Sequence, residues 1–260
     1  MTNEDLIELT KWFSDYCRSF YVSDKEDQKN IYLKEFHTFN VLENITRIAQ
    51  EEQLSRNYIL LAGATALFHD VGRFSQYAKY KTFRDSISVN HGKLGAEILA
   101  EKNVLKSLPL NEQELIVNAV KFHNAFAVPA LQGPEALLLI KLIRDADKLD
   151  IYRVFTEYFE TKEEDRPSAV GLGLPDLPEC SKEIISCLYD KKLATLSSLK
   201  SLNDFKLMQL SWIFDLNFRT SFRLLLERNY INKIAATLPK TEEIVKALQG
   251  LEEFAANKLI

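Results

Sequence analysis

Four histidines and a group of aspartates are the residues of this sequence best suited to chemistry. The 260-residue chain contains four histidines in all, and they are separated by 32, 22 and 32 residues: His37, His69, His91 and His123. An aspartate, Asp70, directly follows the second, and the acidic segment RDADKLD occupies 144–150. Imidazole and carboxylate groups together suit Mn, Fe, Co, Ni or Zn better than Ca. The set therefore predicts a metal site.

The dipeptide His69-Asp70 ends the most apolar stretch of the chain, which runs from Ile59 to Phe68. A carboxylate at the end of a buried helix is destabilising unless it is paired or bound to a metal. The partial negative charge of the helix C-terminus adds to the attraction for a cation. A histidine taken alone is more often a hydrogen-bonded core or surface residue, so the prediction depends on the combination.

The elements that must position these residues are predicted to be helices. Each gap between the candidate ligands is about one helix plus a connection, so each ligand can lie on its own helix and project into one bundle interior. Gly 8 and Pro 7 are below average usage, which disfavours sheet-rich folds and Gly-rich phosphate loops. Apolar spacings of three and four residues predict an all-α fold with these helices: 3–20, 28–53, 57–70, 91–103, 111–125, 134–160, 180–199, 203–229 and 241–257.

Residues 71–90 lack a clean period and are rich in aromatic and cationic residues. We expect an irregular connection there, with Gly72 at a helix end. Four of its aromatic and basic residues are candidates for a lid that stacks on a base or sugar, although the aromatic ones can equally pack inwards: Tyr77, Tyr80, Phe83 and Arg84.

Composition excludes several classes of protein. A net charge of −4 argues against a general binder of nucleic acid polymers. Three cysteines without a close pair form neither a disulfide framework nor a zinc knuckle. No apolar run approaches the roughly 20 residues of a membrane span, and the N-terminus is acidic where a signal peptide is basic. We expect a cytoplasmic protein without a membrane partner.

The order of the candidate ligands resembles that of the HD superfamily of metal-dependent phosphohydrolases. Three segments carry the resemblance: ATALFHDVGRF, SVNHGKLGAEIL and IRDADKLD. It covers about residues 30–155 and implies an HD-domain helical bundle. We therefore expect an HD domain with its N-terminal helix over 1–170, followed by a C-terminal helical extension over 171–260 that packs on the same domain.

The resemblance implies divalent metal ions, two in number and drawn from Mn, Fe, Co, Ni, Zn or Mg. It implies that one ion is held by His37, His69, Asp70 and Asp147. The remaining histidines, His91 and His123, match the extra histidines of members that hold a second ion, with Asp70 as the bridging ligand. The choice of Asp147 over Asp145 and Asp150 follows the A-D-K-L string of the family, because spacing alone does not decide it.

The implied activity is hydrolysis of a phosphoester of a small molecule, with nucleotides among the candidates, by a metal-activated hydroxide. Asp70 is then a catalytic residue, and Arg73 and Lys148 are expected to bind the phosphate. A structural ion pair is the alternative for each cation, with Asp85 as a partner for Arg73. Several nucleotide-cleaving members carry a water-positioning Glu where this chain has Arg73, which argues against that mechanism here.

Two other functions stay open at the level of sequence. Some HD-fold proteins with the same six ligands are mixed-valence diiron oxygenases. A non-catalytic sensor of a phosphorylated ligand is the third candidate, although the full ligand set argues against a decayed site. The expected partner is a small phosphorylated substrate, and the amphipathic C-terminal helices leave a homodimer open.

Overall fold

The computed structural model describes residues 1–129, 133–170 and 173–260, and the regular structure within them is entirely helical. This confirms the all-α prediction. The α-helices, in chain order, are α1 (Asn3–Arg18), α2 (Lys25–Glu51), α3 (Arg56–Phe68), α4 (Val71–Tyr80), α5 (His91–Glu101), α6 (Leu110–Phe122), α7 (Pro134–Glu160), α8 (Lys182–Tyr189), α9 (Leu202–Ser211), α10 (Arg219–Glu227), α11 (Tyr230–Ala235) and α12 (Glu242–Asn257).

The chain divides into two compact units. The first comprises Met1–Asp150 and Pro167–Val170, and the second comprises Ile151–Arg166 and Gly171–Ile260. Residues 171 and 172, with which the expected C-terminal extension begins, lie outside the described residues. The expected division of the chain at residue 170 stays a prediction.

The first unit is built around α3, which is apolar on all sides as a central helix must be. Leu61, Leu67 and Phe68 are fully or almost fully buried. The helix begins after Ser55, whose side chain accepts a hydrogen bond from the Tyr58 backbone amide. This capping satisfies one of the free amides of the first turn. A rigid, buried α3 therefore ends directly at the His-Asp dipeptide.

Residues 71–80 form helix α4, so the expectation of an irregular connection was wrong for this half of the segment. Gly72 lies inside α4 rather than at a helix end. A Cβ atom at this position would lie 2.3 Å from the carbonyl oxygen of His91, so only glycine permits the close packing of α4 on the start of α5. The break between α3 and α4 falls instead at Asp70, which leaves the helical conformation with φ −105° and ψ 12°.

The second unit contains α8 to α12. The expected continuous helix over 203–229 was wrong: α9 ends at Ser211, a 3-10 turn follows at Trp212–Asp215, and α10 begins at Arg219. The side chain of Asn217 donates to the Asp215 carbonyl oxygen, which favours a turn over a helix. Within the described parts of both units, no helix is long and apolar enough to span a membrane.

Candidate metal centre

Six predicted ligands come together inside the first unit, and each is presented by a different part of the helical frame. His37 lies on α2 and Asp147 on α7, whereas the other four lie at helix ends. These four are His69, the residue after α3; Asp70, between α3 and α4; His91, the first residue of α5; and His123, the residue after α6. Helix ends allow neighbouring side chains to turn towards one point, which the middle of a helix does not.

The side chains form two clusters that share one carboxylate. The Nε2 atoms of His37 and His69 are 3.3 Å apart, and those of His91 and His123 are 3.0 Å apart. Asp70 lies between the pairs. Its Oδ2 atom is 3.6 Å from His37 Nε2 and 3.7 Å from His69 Nε2. Its Oδ1 atom is 3.3 Å from His91 Nε2 and 3.9 Å from His123 Nε2. Each cluster of two histidines with Asp70 could hold a metal ion.

Asp147 joins the cluster of His37 and His69. Its Oδ1 atom is 3.1 Å from His37 Nε2 and 3.8 Å from His69 Nε2. Its side chain is 19% exposed, whereas that of Asp70 is 4% exposed, so the centre opens to solvent on the Asp147 side. Of the two carboxylates that sequence spacing could not separate from it, Asp150 lies on the opposite edge of the His37 ring, with Oδ2 2.7 Å from Nδ1.

Two of the histidines are oriented by backbone carbonyl groups. His69 Nδ1 is 2.7 Å from the Ala66 carbonyl oxygen, and His123 Nδ1 is 2.7 Å from the Val120 carbonyl oxygen. A carbonyl oxygen only accepts, so Nδ1 must be the donor in each ring. In the neutral ring Nε2 then carries a lone pair, and in both residues this lone pair faces the centre. A fixed outer nitrogen of this kind is usual for a metal-binding histidine.

The other two histidines are oriented by carboxylates. Asp150 accepts from His37 Nδ1, and Asp85 Oδ2 lies 2.7 Å from His91 Nδ1. Asp85 also accepts from Asn124 Nδ2 at 3.0 Å, which fixes its own position. These supporting residues were not identified as such from the sequence, since nothing in the local pattern connects them to a histidine ring.

The pKa values of three of the four histidines are lowered, which favours cation binding by their neutral rings. Burial lowers the pKa of His69 and His91, and burial with the adjacent His91 and His69 lowers the pKa of His123 to about 3. Burial and the Lys34 ammonium lower the pKa of His37, but hydrogen bonds to Asp147 and Asp150 outweigh both and raise it to about 9. A cation that binds His37 Nε2 must therefore displace a proton.

The donor set fits divalent transition-metal ions. The buried carboxylates converge with the lone pairs of the neutral rings of His69, His91 and His123, an arrangement that is costly without a cation. Burial alone would raise the pKa of Asp70, but Lys34, His69, Arg73 and His91 reverse this effect and keep the carboxyl ionised. Mixed nitrogen and oxygen donors suit Mn, Fe, Co, Ni or Zn.

Arg73 and Lys148 are held by protein groups. The NH1 atom of Arg73 donates to Gln76 Oε1 and Asp85 Oδ1, both at 2.8 Å, and to the Phe83 carbonyl oxygen at 2.5 Å. The ion pair with Asp85, one alternative expected from the sequence, is thus present. Lys148 Nζ donates to the carbonyl oxygen of Arg144 at 3.3 Å, on its own helix. Contact of either cation with a phosphate stays a prediction.

Lys34 is the cation that the sequence interpretation missed. Its Nζ atom is 2.8 Å from Asp70 Oδ2. The signal available in the sequence was its position three residues before His37, on the same face of a predicted helix.

The aromatic residues of the expected lid differ in burial. Tyr77 is buried and donates through its hydroxyl to Asp27, and its ring lies 5.1 Å from that of Phe83. Inward packing, one of the two alternatives, is therefore correct for Tyr77. Tyr80 is 37% exposed.

The match to a family model agrees with the ligand pattern. Residues 36–152 match the family model of the HD domain, a range that includes all six candidate ligands. A solved structure of a predicted HD superfamily hydrolase from an uncultured Thermotogales bacterium is similar, with 23% sequence identity and a TM-score of 0.39, over 61% of this chain and 82% of that chain. No curated protein matches the chain significantly.

Proposed function

Residues 36–152 form an HD domain, and from this premise we propose that the protein is a metal-dependent phosphohydrolase that cleaves a phosphoester of a small molecule. Nucleotides are among the candidate substrates. The observation that carries the proposal is the pair of ligand clusters that share Asp70. A carboxylate common to two cation sites is suited to the two-metal chemistry of phosphoester hydrolysis.

Six side chains would hold the ions: His37, His69, Asp70 and Asp147 the first, and Asp70, His91 and His123 the second. When bound, divalent ions lower the pKa of water, align attack on phosphorus and neutralise charge on the phosphoryl oxygens. Asp70, whose two oxygens face opposite clusters, sets the separation of the two sites.

The residues around the ligands orient the histidine rings and shield the centre from water. Asp150 and Asp85 keep the Nδ1 atoms of His37 and His91 as donors, so that Nε2 of each ring points inward; the His37 Nε2 lone pair would become available when its proton is displaced. The histidine side chains are at most 5% exposed, which excludes bulk water from the rear of the centre. Substrate must then enter on the more open side, beside Asp147.

The experiment that tests the proposal has two stages. Elemental analysis of protein purified without a chelator gives the metal identity and stoichiometry. A phosphate-release screen over nucleotides and sugar phosphates, with Mn²⁺ and with the native metal, then gives the activity. The matched control is Asp70→Asn, which keeps the shape of the side chain and removes the charge shared by the clusters. Phosphate release by the wild type that disappears in Asp70→Asn is expected.

Two outcomes would favour the other candidate functions. Bound iron with O₂ consumption and no phosphate release would indicate a diiron oxygenase. Binding of phosphorylated ligands without turnover under any metal would indicate a sensor.

A further inference from the structure

Lys34 places an ammonium group beside the shared carboxylate of the centre. It lies on α2 one turn before His37, so the two side chains share a face of the helix. Its Nζ atom is 2.8 Å from Asp70 Oδ2 and 5.2 Å from the centroid of the Phe83 ring. A cation held over an aromatic face is stabilised by the electron density of the ring. The Lys34 side chain is 16% exposed against 4% for Asp70, so solvent reaches the ammonium more easily than the carboxylate.

Lys34 makes fewer hydrogen bonds to protein groups than Arg73 does. Within the described residues its ammonium makes one hydrogen bond, to Asp70 Oδ2, and an ammonium group has three donors. Arg73 also lies beside Asp70, with Nε 3.4 Å from Oδ1, but its NH1 atom faces three other acceptors, among them the carboxylate of Asp85. Moving Arg73 towards a ligand would break this set and release Asp85, which orients His91. Moving Lys34 breaks a single bond.

Metal binding would favour that movement. An ammonium and a divalent cation on the same carboxylate repel each other, strongly so in a buried site of low effective dielectric constant. With ions in the clusters, Lys34 would be better paired with an anion that enters the centre than with Asp70. A phosphate oxygen bound beside the ions is such an anion.

We infer that Lys34 is the residue that binds a phosphate oxygen of the substrate, and that Arg73 is a positioning residue that holds Asp85 against His91. The inference rests on the proposed phosphohydrolase function. Lys34 would then exchange its contact with Asp70 for one with the substrate phosphate.

The test uses the full chain, stripped with a chelator and reloaded with Mn²⁺. Inorganic phosphate binding to the Mn²⁺-loaded protein and Mn²⁺ binding to the stripped protein are each measured by titration calorimetry. The variants are Lys34→Met, which keeps the unbranched stem of the side chain without the ammonium, Lys34→Gln as a second substitution, and Arg73→Lys. Lys29→Met is the matched control, because Lys29 lies on the same helix and pairs with Glu26.

We expect both Lys34 variants to bind phosphate about 10–100-fold more weakly, the range for loss of a charge-assisted hydrogen bond. Their Mn²⁺ affinity should be unchanged or higher, since a competing cation is gone. Their thermal stability should fall in the stripped form, where Asp70 loses the nearer of its two cationic neighbours, Lys34 and Arg73, and recover with Mn²⁺. Arg73→Lys should bind the second Mn²⁺ more weakly, yet bind phosphate normally at saturating Mn²⁺. Lys29→Met should match the wild type.

Several results would overturn the inference. Wild-type phosphate affinity in the Lys34 variants, an equal loss of stability with and without Mn²⁺, or no phosphate binding by the loaded wild type would each do so. Loss of phosphate binding in Arg73→Lys alone would assign phosphate binding to Arg73 instead. If Lys34 governs phosphate binding but the wild type hydrolyses no phosphoester, the inference stands and the proposed hydrolase function fails.

Discussion

Asp85→Asn should weaken cation binding at the cluster of His91 and His123 while leaving that at the cluster of His37 and His69 intact. The substitution keeps the size of the side chain and removes one negative charge. In the wild type, Oδ2 of Asp85 faces His91 Nδ1 at 2.7 Å and Oδ1 faces Arg73 NH1 at 2.8 Å. Both oxygens therefore act as acceptors, and an amide supplies only one acceptor and two donors.

Either orientation of the new amide is unfavourable. If its nitrogen faces His91, the ring must carry its proton on Nε2, which lies 3.0 Å from His123 Nε2 and points into the second cluster. The lone pair needed for a cation is then lost. If its nitrogen faces Arg73, two donors oppose each other. Loss of such a supporting partner reduces metal affinity by about 10–100-fold, or about 1.4–2.7 kcal/mol.

The assay is Mn²⁺ titration of the chelator-stripped protein by calorimetry, fitted to two sites. Asp27→Asn is the control, because Asp27 accepts from Tyr77 outside the two clusters. We expect one affinity to fall in Asp85→Asn and neither to fall in the control. Two unchanged affinities in Asp85→Asn would refute the reasoning that Asp85 orients His91 for cation binding.

Further predictions concern the ligands of the centre and the helices that carry them. Asp70→Ala should empty both sites but leave the helical circular dichroism spectrum unchanged, and retention of two metals per chain would contradict its bridging role. In the stripped protein, the raised pKa of His37, about 9 against 6.5 unfolded, contributes stability that is fully present below pH 6.5 and lost as the pH rises through 9. Urea unfolding between pH 6 and pH 10 should show this loss, and His37→Gln should abolish it. Gly72→Ala should destabilise by about 1–3 kcal/mol, because its Cβ would lie 2.3 Å from a backbone oxygen. The control Gly250→Ala, with open space in α12, should instead stabilise by about 0.5–1 kcal/mol in thermal unfolding, and similar values for the two would show that packing at Gly72 is unimportant.

The sequence by itself was sufficient for the helical class, and it identified the six candidate ligands that the fold brings together. Helical periodicity is a local property, so α1, α2, α3 and α7 could be predicted close to their observed bounds. The His-Asp dipeptide at the end of an apolar helix is likewise readable, since its cost without a cation follows from burial.

Spacing along the sequence does not distinguish the roles of two residues on the same face of a helix. Asp147 and Asp150 are three residues apart on α7, and both contact His37, one at Nε2 and the other at Nδ1. Spacing places both carboxylates on one face, but only the tertiary structure decides which edge of the ring each one meets.

The remaining features depend on contacts between segments that are far apart in the chain. Gly72 is glycine because α5 crosses α4 at that point, and Asp85 matters because α5 begins at His91 beside it. Lys34 reaches Asp70 across 36 residues. Local patterns specify which side chains share a helix face. Which of these side chains meet is decided by the packing of one helix on another, and only the folded protein shows this packing.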